Sequence, residues 1–317
     1  MKTIEVKVHA IRLQASTIHS FELRSASETA LPPFTAGAHV EVHMSEHLVR
    51  SYSLVNSPAE TDRYVIAVNK DAGGRGGSIY MHDQVRVGQM LRISEPRNNF
   101  ELAENAAHTV LIAGGIGITP LFSMISRMRQ LDRPWTLHYC GRDRASMAYV
   151  REVQDLKRAG ADVHLHVDAE NNGLLLSFAK VLEAAPVGSH YYCCGPKPML
   201  AAFEEATCRL PPDHVHVEYF VAKDVAAADG GYLVQLAKSG RTFPVLPGST
   251  ILNTLLDAGV DVGFSCMEGI CGSCETKVVS GVPDHRDAVL SKSERDANDK
   301  MMICCSGSKT STLVLDL

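Results

Sequence analysis

The stretch SCMEGICGSCET, Ser265 to Thr276, holds Cys266, Cys271 and Cys274 with four and two residues between them, and Cys304 follows thirty residues after Cys274. This is the plant-type spacing for a 2Fe-2S cluster, in which four thiolates hold two irons. Gly269 and Gly272 allow the loop to curl tightly and bring peptide N–H groups toward the sulfurs, where they stabilise negative charge. Structural zinc is the alternative for clustered thiols, but zinc modules usually present two CxxC-like pairs and only one tight pair occurs here. Cys304 and Cys305 are adjacent. Neighbours on an extended segment point to opposite sides, so one of the two is expected to reach the cluster. Cys304 is taken as the ligand and Cys305 as a buried thiol.

Outward from this loop, strands are predicted at Tyr232 to Ala237, Thr242 to Leu246 and Thr312 to Leu315, with a helix near Thr250 to Ala258. Together they form an α+β β-grasp plant-type ferredoxin domain over residues 230–317. The preceding segment VAKDVAAADGG, Val221 to Gly231, is small, polar and glycine-ended, as a linker would be. Before it, Val110 to Ala113 is an apolar run entering a glycine loop. Leu121, Phe122, Met124, Ile125, Met128 and Leu131 then recur at helical spacing. Further strands at Leu137 to Cys140, Val163 to Val167, Tyr191 to Cys194 and Val215 to Phe220 alternate with helical segments. This predicts a doubly wound parallel α/β nucleotide domain over 104–224. From Ile4 to about Glu95 the period is two, in segments such as His39 to Met44, Leu48 to Asn56, Arg63 to Lys70 and Met90 to Glu95, with one helix near Ile79 to Gln84. An antiparallel β-barrel over 1–103 is expected.

The 317 residues are 45% hydrophobic with a net charge of -5 and no basic block, which argues against nucleic acid or an anionic membrane surface as partner. The alternating start, Met1 to Leu13, does not read as a signal peptide. Nine cysteines without a secretory signal fit a reducing cytoplasm.

Nicotinamide donors deliver two electrons together while a 2Fe-2S cluster accepts one, so an organic redox group is needed between them, and flavins perform that chemistry. Arg50-Ser51-Tyr52-Ser53, ending a barrel strand, offers a guanidinium and hydroxyls for a phosphate and an aromatic ring beside them. Gly73 to Ser78 (GGRGGS) opens the barrel's helix, where free N–H groups favour a phosphate. Gly114-Gly115-Ile116-Gly117-Ile118-Thr119-Pro120 leads from a buried strand into a helix, with Thr119 as the cap and Pro120 at the first helical position. Cys194-Gly195-Pro196 ends a later strand of the same sheet, on the side where such sheets bind ligands. Each has a purely structural reading: a solvated strand end, a flexible turn, a tight turn, a buried cysteine before a turn.

RSYS, GRGGS, GGIGITP, CCGP, the cluster motif and the ending LVLDL occur in this order along essentially the whole chain, and in this the chain resembles the phthalate dioxygenase reductase family. The resemblance implies that Arg50, Ser51, Tyr52 and Ser53 bind FMN, with the strand Ala67-Val68-Asn69 and the phosphate loop Arg75, Gly76, Gly77 and Ser78. It implies that Phe220 covers the flavin face and that Gly114, Gly115, Gly117 and Thr119 hold NADH. Cys194 would lie by the nicotinamide, followed by Gly195 and Pro196, in a shaping rather than a nucleophilic role. FMN in place of FAD rests on the resemblance alone. NADH in place of NADPH does too, because Arg142-Asp143-Arg144 carries both an acid for a ribose hydroxyl, Asp143, and cations suited to a phosphate. The implied partner of this monomer is a Rieske-type terminal oxygenase. A non-Rieske acceptor and a non-turnover redox sensor remain the alternatives. The triplet His285-Arg286-Asp287 is read as a loop, and His164 and His166 as one face of a strand.

Overall fold

In the computed structural model of this chain, residues 3–27, 29–45, 48–74, 76–220, 226–227 and 229–317 are described. Arg75, residues 221–225 and 228 of the expected linker, and the domain boundary expected at 224 lie outside them. Two compact units emerge, Met1–Glu218 and Tyr219–Leu317.

The first unit begins with β1 (Thr3–Ala15), β2 (Ile18–Ser25), β3 (His39–Ser45), β4 (Leu48–Ser53), β5 (Tyr64–Asn69), α1 (Gly77–Asp83) and β6 (Met90–Ser94). The strands form one antiparallel sheet in the order β4-β3-β6-β1-β2-β5. Val6, Val8, Phe21, Val40, Val42, Ile66 and Ile93 are fully buried in its core. Strand β2 is hard to see in the sequence because its alternation is masked: Glu22 is only 2% exposed, held by Arg12, Arg24 and Arg63. A buried carboxylate of this kind persists only when charged partners satisfy it.

The same unit continues with β7 (His108–Gly114), α2 (Ile118–Gln130), β8 (Trp135–Gly141), α3 (Val150–Arg158), β9 (Asp162–Val167), α4 (Phe178–Ala184), β10 (Ser189–Cys194), α5 (Lys197–Thr207) and β11 (Val215–Glu218). These strands are parallel in the order β11-β10-β7-β8-β9. The expected strand Val215 to Phe220 stops at Glu218. Thr119 does not cap α2: a 3-10 turn over Gly115–Gly117 leads into the helix at Ile118, and the buried Thr119 hydroxyl donates to the Ile116 carbonyl at 3.0 Å. The turn already supplies partners at the helix start, so the side chain is left to bond backwards along it.

In the second unit β12 (Tyr232–Leu236), β13 (Thr242–Val245), α6 (Ile251–Asp257), β14 (Glu275–Ser280), β15 (Pro283–Asp284), α7 (Lys292–Ala297), β16 (Lys300–Met302), β17 (Gly307–Ser308) and β18 (Thr312–Leu315) succeed one another. The mixed sheet runs β13-β12-β18-β14-β16, with β12 and β18 parallel, and β15 pairs with β17. Cys304 and Cys305 lie in a turn after β16, not on an extended segment, so the opposite-sides argument for them does not hold. Both are buried.

Candidate functional site

Strand β4 carries Arg50, Ser51 and Tyr52 half-buried and Ser53 buried. The start of α1 packs directly on Arg50: Gly76 adopts the left-handed region at φ 84°, and a Cβ on Gly77 would lie 2.5 Å from Arg50 Cγ. Only glycine therefore lets the first N–H groups of α1 sit beside the guanidinium, an arrangement of donors that suits a phosphate. Ser78 completes this corner, its hydroxyl accepting from Asp71 N at 3.0 Å. Burial pushes the Tyr52 phenol well above its ordinary value. Ala67 and Val68 are buried in β5, and Asn69 is exposed at its end, accepting from the Thr17 hydroxyl at 2.7 Å.

The glycine loop after β7 meets the end of β10. A Cβ on Gly117 would lie 2.1 Å from Cys194 O, and one on Gly114 would lie 2.6 Å from Met199 Sδ and 2.7 Å from Pro196 Cδ. The close approach permitted by Gly114 and Gly117 is thus to Cys194, Gly195 and Pro196. Gly115, at φ +56° with open space around its Cα, is the position that leaves room for a ligand.

Cys194 is wholly buried, and its register neighbour on β11 is Glu218. Three side chains from the two sheets converge here: Ser53 Oγ donates to Glu218 Oε2 at 3.4 Å, and Cys194 Sγ donates to the same oxygen at 4.0 Å. Glu218 is half-buried as a residue, but its carboxyl end is enclosed. Burial pushes it up to about 8, against a smaller downward pull from the Ser53 hydroxyl. Burial, then the nearby Glu218, pushes the Cys194 thiol far up. At neutral pH the trio is a Ser hydroxyl, a protonated carboxyl and a thiol, able to hold a proton but carrying no thiolate nucleophile. Glu218 is absent from the sequence-derived site. Its signal is weak: a carboxylate between Val217 and Tyr219 at the carboxyl end of a parallel strand, where ligands of such sheets bind.

Asp143, exposed after β8, accepts from Ser146 N at 2.9 Å and so caps a short turn, while Arg144 forks onto Glu170 at 2.5 and 2.8 Å. Phe220 belongs to the second unit and is half-buried.

In the second unit Cys266, Cys271, Cys274 and Cys304 are each 4% exposed or less. The loop is moulded by left-handed residues at Met267 (φ 57°), Gly269 (φ 68°) and Gly272 (φ 78°). The turn at Met267 brings Glu268 N–H back onto Cys266 Sγ at 3.3 Å. Hydrogen bonds from the Cys271 and then the Cys304 thiol hold Cys266 well below the ordinary thiol range, and the same contacts drive Cys271 and Cys304 upward. Cys304 also reaches Cys274 and Cys305. Cys305 Sγ instead lies where a Gly269 Cβ would be, 2.4 Å from that position, and contacts Met302 O at 3.7 Å. Four buried thiols linked through Cys266–Cys271, Cys266–Cys304 and Cys304–Cys274 contacts, with an N–H aimed at one sulfur, fit a 2Fe-2S cluster, which needs two thiolates per iron. Among the described residues no three metal-binding side chains converge on a single ion.

The 2Fe-2S iron-sulfur cluster binding domain family matches residues 234–308, and the N-terminal domain of dimethylamine monooxygenase subunit DmmA-like proteins matches residues 92–217. The chain is 49% identical over 318 residues to the phenoxybenzoate dioxygenase subunit beta of Ectopseudomonas oleovorans, covering 100% of this chain and 98% of that protein. It is 50% identical over 320 residues to the tetrachlorobenzoquinone reductase of Sphingobium chlorophenolicum, covering 100% and 99%. Among solved structures, phthalate dioxygenase reductase, described as modular for electron transfer from pyridine nucleotides to [2Fe-2S], superposes with a TM-score of 0.75 at 38% identity, over 99% of this chain and 98% of that one. An intact type IV self-sufficient cytochrome P450 monooxygenase gives 0.88 at 36% identity, over 99% of this chain and 41% of that one.

Proposed function

Because the chain belongs to the phthalate dioxygenase reductase-like family, flavin reductases with a carboxy-terminal plant-type 2Fe-2S ferredoxin domain, we propose that it is the reductase component of a Rieske-type terminal oxygenase. It is an NAD(P)H-dependent flavin and 2Fe-2S oxidoreductase. NADH is the proposed donor and FMN the proposed flavin, with the barrel, nucleotide and ferredoxin domains divided at 103/104 and across 225–229. When bound, the flavin accepts two electrons as hydride and releases them singly.

The residues of the chain divide the remaining work. Arg50 and the N–H groups around Gly76 to Ser78 would hold the FMN phosphate, with Ser51, Tyr52, Ala67, Val68 and Asn69 along the flavin. Gly115, with Gly114, Gly117 and Thr119 behind it, would admit the dinucleotide. Cys194 would shape the floor beneath the nicotinamide, with the Glu218 carboxyl, whose Oε2 accepts from Ser53 and Cys194, beside it. Cys266, Cys271, Cys274 and Cys304 would ligate the cluster. Carrying flavin and cluster on one chain replaces a diffusive encounter between two proteins with an intramolecular one.

The single observation that carries this reading is the nest of four buried cysteine thiols, chained by contacts of Cys266 with Cys271 and of Cys304 with Cys266 and Cys274, in a chain whose relatives match it end to end. Purified protein should contain flavin, iron and acid-labile sulfide, bleach with NADH under anaerobic conditions, and support turnover of a Rieske oxygenase. Protein without flavin, or flavin that NADH leaves oxidised, sinks the proposal. A second reading, a reductase for a non-Rieske acceptor, is favoured by the 50% identity to the tetrachlorobenzoquinone reductase. Turnover with a quinone, undiminished when the cluster is removed, would select it.

A further inference from the structure

The triplet His285-Arg286-Asp287, read from sequence as a plain loop, contains a fully buried carboxylate. Asp287 is 0% exposed, and Oδ2 accepts N–H bonds from Val289 at 3.0 Å and Leu290 at 2.7 Å. Arg295 on α7 donates to the Asp287 carbonyl at 2.5 Å and lies 3.8 Å from Oδ2, while His285 Nδ1 lies 3.8 Å from Oδ1. Burying a carboxylate is costly, and a surface turn needs none. What this turn touches explains its presence.

The N–H of Ala288 donates to Gly269 O at 2.8 Å, in the middle of the loop between Cys266 and Cys271. Gly269 is pressed so closely onto the turn that a Cβ there would lie 3.0 Å from Asp287 Cα. On the other side, Arg286 N–H donates to Ser306 Oγ at 3.2 Å, two residues beyond Cys304. One turn therefore braces both walls of the thiol nest, the loop that carries Cys266 and Cys271 and the turn that carries Cys304.

We propose that Asp287 is a positioning residue for the iron-sulfur cluster: its buried carboxylate folds residues 287–290 into a template that fixes the Gly269 loop and the Cys304 turn relative to each other. The inference rests on the cluster reading above and deepens it. Partners of this outer kind typically change metal retention by about 10- to 100-fold. Asp287→Asn keeps an oxygen acceptor and the volume but removes the charge. Ser306→Ala removes the hydroxyl that accepts from Arg286 N–H and so loosens the turn from the Cys304 side without touching the carboxylate.

The test uses the full-length holoprotein and reads iron release to a chelator together with the electron paramagnetic resonance spectrum of the reduced cluster. Both variants should release iron about 10- to 100-fold faster than wild type and show altered g-anisotropy. A merely structural role would lower the melting temperature and leave the spectrum unchanged, which overturns the proposal. So would wild-type spectra and release rates in both variants. If Asp287→Asn does not fold, Ser306→Ala alone decides in the same way. Wild-type protein lacking iron and acid-labile sulfide would sink the cluster reading itself, a result distinct from variants that match a cluster-loaded wild type.

Discussion

Replacing Glu218 by Gln removes a titration while keeping the shape of the Ser53, Cys194 and Glu218 contact. The wild-type carboxyl is raised from 4.5 to about 8, chiefly by burial. Between those values the unfolded chain has released the proton and the folded chain still holds it. Stability therefore contributed below pH 4.5 is lost progressively as pH rises, and the loss is complete once the folded carboxyl ionises near pH 8. At ~1.4 kcal/mol per pH unit the ceiling is roughly 5 kcal/mol. Glu218→Gln should erase that pH-dependence, so wild type and variant converge in acid and the variant is the more stable at pH 9. Infrared difference spectroscopy reads the site directly: a protonated-carboxyl band should vanish with a midpoint near pH 8 in wild type and be missing from the variant. The NADH to ferricyanide rate should change with the same midpoint in wild type only, because ionisation would set a negative charge beside the proposed nicotinamide site. A carboxyl that ionises at the usual value, or a stability gap constant from pH 5 to pH 9, refutes the argument.

Cys304→Ser should abolish transfer to a one-electron protein acceptor by more than ~100-fold, beyond the effect of losing an outer partner, while NADH to ferricyanide activity persists. Cys305→Ser should keep both, and the opposite pattern moves the fourth ligand. Gly117→Ala forces a Cβ to 2.1 Å from Cys194 O and should cost about 1–3 kcal/mol in thermal or denaturant melts with a raised KM for NADH; a silent variant would show that the two loops separate freely. Arg50→Ala should weaken FMN retention about 10- to 100-fold, the worth of a charge-assisted hydrogen bond, measured by fluorescence titration of flavin-stripped protein. Unchanged flavin affinity would place the phosphate elsewhere.

The cysteine spacing was legible because metal ligation constrains sequence directly, and the parallel sheet because buried strands and helical periods alternate cleanly through Val110 to Cys194. Other features depended on partners far away in the chain. Strand β2 is disguised by Glu22, whose burial makes sense only once Arg12, Arg24 and Arg63 surround it. Glu218 gains meaning from Ser53, 165 residues earlier. The hydroxyl of Thr119 followed the shape of the preceding turn and not the helix-start pattern. His164 and His166, read as one face of a strand, stack with His138 across β8 and β9, at ring centroid separations of 4.8 and 5.4 Å from it, a cluster that register alone creates.

The enclosure of Cys194 also bears on durability. Reduced flavoproteins that meet oxygen generate peroxide, and peroxide attacks accessible thiolates. A sulfur sealed from solvent and kept protonated offers it neither access nor charge. Cys208, by contrast, is exposed, so ageing or alkylation of the protein should mark that remote helix end first and leave the end of β10 chemically intact.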